Sequence, residues 1–195
     1  MQNIKVVDNV LDDDLTKRVY ELSCSLPFKF GWSDGHYDSY WNHNIFGSHK
    51  GYPSINEIEN PIYQEVNEVI KQKFGIDTNA DRIYINCINY GSESHPHIDC
   101  VSGTTFIFYL CPMWNVHWGG ETAFFTGEFN EDFMHPVFYE TEIIKSVLPK
   151  RNRVVIFDGN IMHSVRPLSK TFKGNRLTLM YKYENCKINI FDNNG

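Results

Sequence analysis

From residue 82 onward the chain is divided into seven short runs of β-branched and aromatic residues, at 82–90, 104–111, 121–125, 142–148, 153–157, 161–165 and 176–183. Turn-forming residues separate them. Runs of this length are strands rather than helices, and no helical pattern lies between them to make parallel crossovers, so they predict an antiparallel sandwich or barrel. The first 80 residues read differently. Ile4 to Val7 suits a short strand, and the acids Asp12 to Asp14 precede Leu15, Val19 and Leu22, which recur at near-helical spacing as in an acid-capped helix. A second helix is marked by Asn60 as cap, Pro61 at its first position, a stripe of Ile62, Val66, Val69, Ile70 and Phe74, and Gly75 as its stop. Helices first and strands after predict a mainly β jelly-roll-type barrel with helices on one outer face. Residues 28–52, rich in Gly, Ser, Asn, His and aromatics without a clear period, predict an irregular layer against the core. At 195 residues the chain suits one domain, with support from 1–80 and a barrel core from about 82–184.

Composition narrows the function classes. Hydrophobic residues at 42% and charged residues at 22% are ordinary for a globular protein, which sets disorder aside. A net charge of -6 argues against a backbone-dominated nucleic-acid binder, which needs a basic surface to displace counterions from phosphates. No apolar run approaches the roughly 20 residues that cross a bilayer, and the start of the chain is studded with acids, so a cytoplasmic protein without a membrane partner is expected. The five cysteines, Cys24, Cys87, Cys100, Cys111 and Cys186, form no C-x-x-C pair and read as reduced thiols.

His97-Ile98-Asp99 places an imidazole and a carboxylate two residues apart, which in an extended segment sends both side chains to one side. With 8 histidines and 12 aspartates in the chain, chance alone supplies about half such a match. Indeed His36-Tyr37-Asp38 is another, and an isolated match is more often a surface turn. Context separates the two: His97 to Asp99 lies between two strand runs, and His163 follows the strand at 153–157, whereas His36 to Asp38 has no such frame. Two histidines and one carboxylate make a facial triad, which suits ferrous iron because adjacent coordination positions stay open.

With these residues in order, the chain resembles the 2-oxoglutarate- and Fe(II)-dependent dioxygenases, in layout most like the prolyl 4-hydroxylase-like branch. The resemblance runs from about Arg82 to Tyr183. It is carried by Asn89-Tyr90-Gly91, His97-Ile98-Asp99, Phe108-Tyr109-Leu110, Gly119-Gly120-Glu121-Thr122, Leu148-Pro149, Ile156-Phe157-Asp158, His163-Ser164-Val165 and Arg176-Leu177-Thr178-Leu179. It implies a double-stranded β-helix, with iron on His97, Asp99 and His163, O2 and 2-oxoglutarate as cosubstrates, and ascorbate as a compatible accessory. The reaction implied is oxidative decarboxylation of 2-oxoglutarate to succinate and CO2, coupled to hydroxylation of a peptide, protein or small-molecule substrate, peptidyl proline first among them. A basic residue would anchor the far carboxylate of 2-oxoglutarate. Arg176 matches that position thirteen residues after His163, while Lys173 stands ten after it. Arg176 is favoured because Arg176, Thr178 and Met180 alternate along a strand and its planar fork suits a carboxylate, but the exchange stays open. The resemblance assigns Tyr109 and Tyr90 hydrogen bonds to the cosubstrate. By alternation, Asn86 faces inward with Tyr90, and Lys182 lies toward the barrel mouth, both as substrate contacts. Gly119-Gly120 reads as a turn without chemical role, and segments 28–52 and 127–139 as candidate lids.

Two other classes remain at this level: a non-catalytic jelly-roll binding module, and a cupin-like metalloenzyme that uses no 2-oxoglutarate. Intact His97, Asp99 and His163 argue against the first. Arg176 and Tyr109, which such a metalloenzyme would not need, argue against the second.

Overall fold

The computed structural model of the chain describes residues 3–34, 39–49, 52–56, 60–92, 94–130 and 139–184. Strand β1 (Ile4–Asp8) and helix α1 (Asp13–Ser25) open the chain, and helix α2 (Pro61–Phe74) precedes the barrel strands. Both helices begin as their caps dictate. The Asp12 carboxylate accepts from Leu15 N at 2.7 Å, Asn60 accepts from Ile62 N at 3.0 Å, and α2 stops at Gly75 in the left-handed region.

The barrel is built from β5 (Arg82–Ile88), β6 (Thr104–Tyr109), β7 (Thr122–Phe125), β8 (Ile143–Val147), β9 (Arg153–Asp158), β10 (His163–Val165) and β11 (Arg176–Tyr183). All seven expected strands are present, with ends shifted by a few residues. In the larger sheet, which takes in β2 (Lys29–Trp32) and β3 (Tyr40–His49) from the first part of the chain, the order is β1-β9-β6-β11-β5-β3-β2, and a smaller one runs β10-β7-β8. The pairs within both are antiparallel.

Alternation divides the large sheet into two faces. Ile83, Ile85, Cys87, Phe106, Phe108, Leu177, Leu179 and Tyr181 point outward and pack under α1 and α2 with Val19, Val66 and Ile70. Tyr84, Ile88, Ile107, Tyr109 and Met180 point inward and meet Phe124 and Val147 of the small sheet. The helices therefore cover one outer face, as expected, and the space between the sheets holds the second core.

Segment 28–52 corrects the expectation of an irregular layer. It forms β2 (Lys29–Trp32) and β3 (Tyr40–His49), followed by β4 (Tyr52–Asn56), and β3 extends the large sheet by pairing with β5. The alternation was illegible because β3 buries polar residues: Asn42 donates to Asn86 Oδ1 at 2.8 Å and Asn44 donates to Gly47 O at 2.7 Å. Gly47, at φ +79°, passes so near the chain that a Cβ there would stand 2.3 Å from Asp81 O, which only glycine tolerates. Residues 35–38, with His36 and Asp38, lie outside the described residues, as do 131–138 of the second candidate lid. Phe129, from the start of that lid, packs against the cluster of Ala123, Phe125 and Met162.

Among the described residues no helix is long and apolar enough to cross a membrane. Among the described residues Cys24, Cys87, Cys100 and Cys111 are free thiols; Cys186 lies outside them.

Candidate metal centre

His97 and His163 are cross-strand partners. His97 N donates to His163 O at 3.0 Å and His163 N donates back to His97 O at 2.9 Å, so the segment before β6 is docked onto β10 and the two rings lie 4.4 Å apart. Each ring is turned by its own backbone. Nδ1 of His97 bonds His95 O at 2.8 Å, and Nδ1 of His163 bonds Ile161 O at 2.9 Å. A carbonyl can only accept, so both rings carry a proton on Nδ1, which leaves Nε2 as the atom that can ligate. Asp99 N donates to Gly159 O at 2.8 Å, which aims the carboxylate between the rings. Its Oδ1 lies 3.7 Å from His97 Nε2 and its Oδ2 3.7 Å from His163 Nε2. The three ligand atoms fall within 4.8 Å of one another, and among the described residues this is the cluster able to hold a metal ion.

The protonation states suit a metal. Burial pushes the Asp99 carboxyl upward, but the Lys182 ammonium beside it outweighs that and holds the group well below the usual carboxylate range. Burial pushes His163 down to about 3, so its imidazole is neutral. Two imidazoles offering Nε2 and an anionic carboxylate on one side of a point are the donor set that ferrous iron accepts, with the opposite side left for exchangeable ligands. The residues fit that ion.

A cavity runs from these histidines to Arg176 and Thr178, with Tyr40, Tyr84 and Asn86 along its wall. Arg176 is 1% exposed. Its Nε donates to Gly120 O at 2.7 Å, its Nη2 donates to Thr122 Oγ1 at 3.1 Å, and its guanidinium lies 5.3 Å from the centre of the Tyr109 ring. Among the described residues no carboxylate pairs with it. Burial lowers its pKa, yet a guanidinium stays charged, so the inner end of the cavity presents a cation in want of an anion. Gly120 permits this: at φ +71° a Cβ would stand 2.5 Å from Leu168 Cδ2 and 3.3 Å from Arg176 Cδ.

The remaining expected site residues divide. Lys173 is exposed in the loop before β11, whereas Arg176 is buried and lines the cavity. Tyr109 is buried under Arg176, and its hydroxyl donates to Thr122 Oγ1 at 2.7 Å. Asn86 lines the cavity as alternation predicted. Tyr90, which the resemblance placed at the cosubstrate, is 58% exposed and away from the cavity, because β5 ends at Ile88 and the chain turns there. Lys182 corrects a second expectation, because it is not at the mouth. It is buried with its ammonium on Asp99 Oδ1 and does not line the cavity.

Several contributors escaped the sequence reading. Thr105 Oγ1 donates to Asp99 Oδ2 at 2.5 Å, Thr122 links Arg176 to Tyr109, and the Gly120 carbonyl holds the arginine. Asp34 and Tyr40, joined at 2.5 Å, bring the β2–β3 region to the cavity wall. Threonines in strands and glycines in turns are too common to signal a role. Only the register of β11 on β6, which sets Lys182 opposite Thr105, singles one of these threonines out.

Residues 84–182 match the sequence model of the 2OG-Fe(II) oxygenase superfamily, just over half of the chain. No curated protein matches it in sequence. Solved structures resemble it over nearly its whole length. A prolyl-4-hydroxylase from Pseudomonas putida superposes with a TM-score of 0.60 at 14% identity, covering 96% of this chain and 95% of that one. A prolyl hydroxylase from Trichoplax adhaerens, in complex with a hypoxia inducible factor oxygen degradation domain peptide fragment, gives 0.61 at 18% identity, covering 94% and 84%. The epimerase SnoN, in complex with Fe3+, alpha ketoglutarate and nogalamycin RO, gives 0.63 at 12% identity, covering 94% and 79%. At these identities the likeness is one of fold, the double-stranded β-helix. Membership in the family removes both alternatives, the non-catalytic barrel and the metalloenzyme without 2-oxoglutarate. The chain belongs to the 2OG-Fe(II) oxygenase superfamily and is an iron- and 2-oxoglutarate-dependent dioxygenase.

Proposed function

We propose that this enzyme hydroxylates a peptidyl side chain, proline first among the candidates, using His97, Asp99 and His163 to hold ferrous iron and Arg176 to hold 2-oxoglutarate by its far carboxylate. The observation that carries the assignment is the single cavity that joins the three-ligand cluster to a buried arginine without a carboxylate partner among the described residues. Bound there, the iron supplies the oxygen chemistry and the protein supplies placement. Arg176 gives charge-assisted hydrogen bonds to the carboxylate and is itself held rigid by Gly120 O and Thr122. Tyr109 supports the guanidinium from below, and its hydroxyl stays protonated because burial raises its pKa. Asn86 already accepts from Asn42, so its amide N–H groups remain to donate into the cavity. The apolar wall of Ile107, Val165 and Met180 excludes water between metal and anchor. The proline reading is supported by the sequence layout and by the prolyl hydroxylases among similar folds, while SnoN, an epimerase, marks how far chemistry varies on this barrel.

The test has two stages. Ferrous iron and 2-oxoglutarate added without oxygen should give a weak visible charge-transfer band, absent in Asp99→Ala and needing far more 2-oxoglutarate in Arg176→Ala. With oxygen, proline-containing peptides should stimulate succinate release and gain one oxygen atom by mass. A band without peptide turnover would retain the iron and cosubstrate assignments and discard the proline substrate. No band would discard the site assignment.

A further inference from the structure

Lys182 has no place in the reaction described so far, yet it is one of the most enclosed charged groups in the barrel, 4% exposed. Strand β11 sets it opposite Arg82 on β5 and Thr105 on β6, with its stem on the inner face. Its ammonium closes on Asp99 Oδ1 and stands 5.2 Å from the centre of the Tyr84 ring. Among the described residues Asp99 is the one carboxylate it pairs with, because Arg82 beside it takes Glu184, 2.6 Å away. Thr105 holds the other oxygen of Asp99, so the carboxylate is gripped from both sides away from the histidines.

An apolar side chain could fill this position on the inner face, and burying an ammonium is costly unless its charge is used. What Lys182 adds is one positive charge beside the carboxylate. A metal is ligated by neutral imidazoles, so as a ligand set the two histidines and Asp99 carry a formal charge of about −1, which the ammonium cancels. A divalent ion then enters a donor set with no net charge to attract it, and lies near a fixed cation. On the reading that His97, Asp99 and His163 hold the metal, the geometry points to Lys182 as a positioning residue that orients Asp99 while weakening the site's grip on a divalent ion. The dianionic cosubstrate restores the missing attraction, so the metal is held firmly only in its company.

The test is a titration with manganese(II) alone, read by the electron paramagnetic resonance of the free ion, on the full chain with and without 2-oxoglutarate. Lys182→Met and Lys182→Gln should bind manganese about tenfold more tightly or better than the unaltered protein, in the range expected for groups adjoining metal ligands. Lys182→Arg, which keeps the charge, should stay near the unaltered affinity. The metal-free Lys182→Met protein should melt at a lower temperature, because Asp99 has lost its counterion. Tighter metal binding in a less stable protein is a combination that mere structural damage does not produce. If Met and Gln weaken manganese binding or leave it unchanged, the inference is overturned. If neither variant folds without metal, manganese should restore folding by taking over as the counterion, and failure to do so overturns it as well. Asp99→Ala separates the two levels: binding as tight as in the unaltered protein would refute the metal-site reading itself.

Discussion

The two faces of the large sheet are made by the same strands, yet they do different work. On β5 and β11 the outward residues Ile83, Ile85, Leu177, Leu179 and Tyr181 join the helices in a continuous apolar core. The inward residues on the same strands include Asn86, Arg176, Thr178 and Lys182, each buried and polar. One face supplies the free energy of folding, and the other spends part of it to hold charged groups away from water. The difference teaches where function can change without loss of fold: substitutions one residue apart in sequence should separate stability from chemistry.

The largest effect is expected at the metal ligands. Asp99→Ala should abolish metal binding and turnover and, by leaving the Lys182 ammonium buried without its acid, cost about 3–5 kcal/mol of stability. Metal analysis and urea unfolding would check both parts. Retained turnover would break the claim that the inner face carries the chemistry.

On the outer face, Phe108→Ala removes a ring that is 1% exposed and packs edge-on to Tyr181. It should cost about 3–5 kcal/mol as well, while activity per folded molecule stays close to the original. Unfolding curves paired with turnover at a temperature where the variant is folded would decide it. A fall in turnover at full folding would mean that the two faces are not separable.

Arg176→Lys keeps the charge but loses the fork and the bond to Gly120 O or Thr122. The Michaelis constant for 2-oxoglutarate should rise by about 10- to 100-fold, as one or two charge-assisted hydrogen bonds are lost. Steady-state kinetics with varied 2-oxoglutarate would sharpen the comparison by placing the loss in cosubstrate binding rather than in folding.

The smallest effect lies at the sheet edge, where charges are partly wet. Hydrogen bonds from Arg153 and then Lys150 lower the Asp8 carboxyl to about 2 from an ordinary 3.8. A carboxyl whose folded-state value is depressed contributes stability that is complete above the unfolded value and is lost as pH falls from about 4 toward 2. Asp8→Asn should therefore reduce stability at neutral pH by about 1 kcal/mol or less and flatten the acid limb of the stability curve in that window. Urea midpoints at pH 7 and pH 3 would reveal it, and an unchanged acid limb would refute it.

Legibility followed the same division. The outer face and the existence of the strands were readable because apolar periodicity and turn residues report them directly, down to Arg176 as the first residue of β11. His97, Asp99 and His163 were readable because few residue types can ligate a metal and their order along the strands was informative. Tyr90, assigned through the resemblance, lies two residues past Ile88, where the strand stops, and is exposed. Strand β3 was missed because Asn42 and Asn44 turn toward a polar interior, which removes the alternation that marks a strand.

The amino-acid order was enough to mark a helix-buttressed antiparallel barrel and to single out His97, Asp99 and His163, which the fold brings together. Hydrophobic period, capping residues and ligand chemistry are local properties, so they survive without coordinates. Only the tertiary structure decided which cation reaches which anion. Lys173 and Arg176 are three residues apart, yet one is in solvent and the other buried at the end of the cavity. Lys182 meets Asp99 across 83 residues of sequence. Such pairings depend on how the strands register across the sheet, and register is set by the whole core rather than by any segment of the chain.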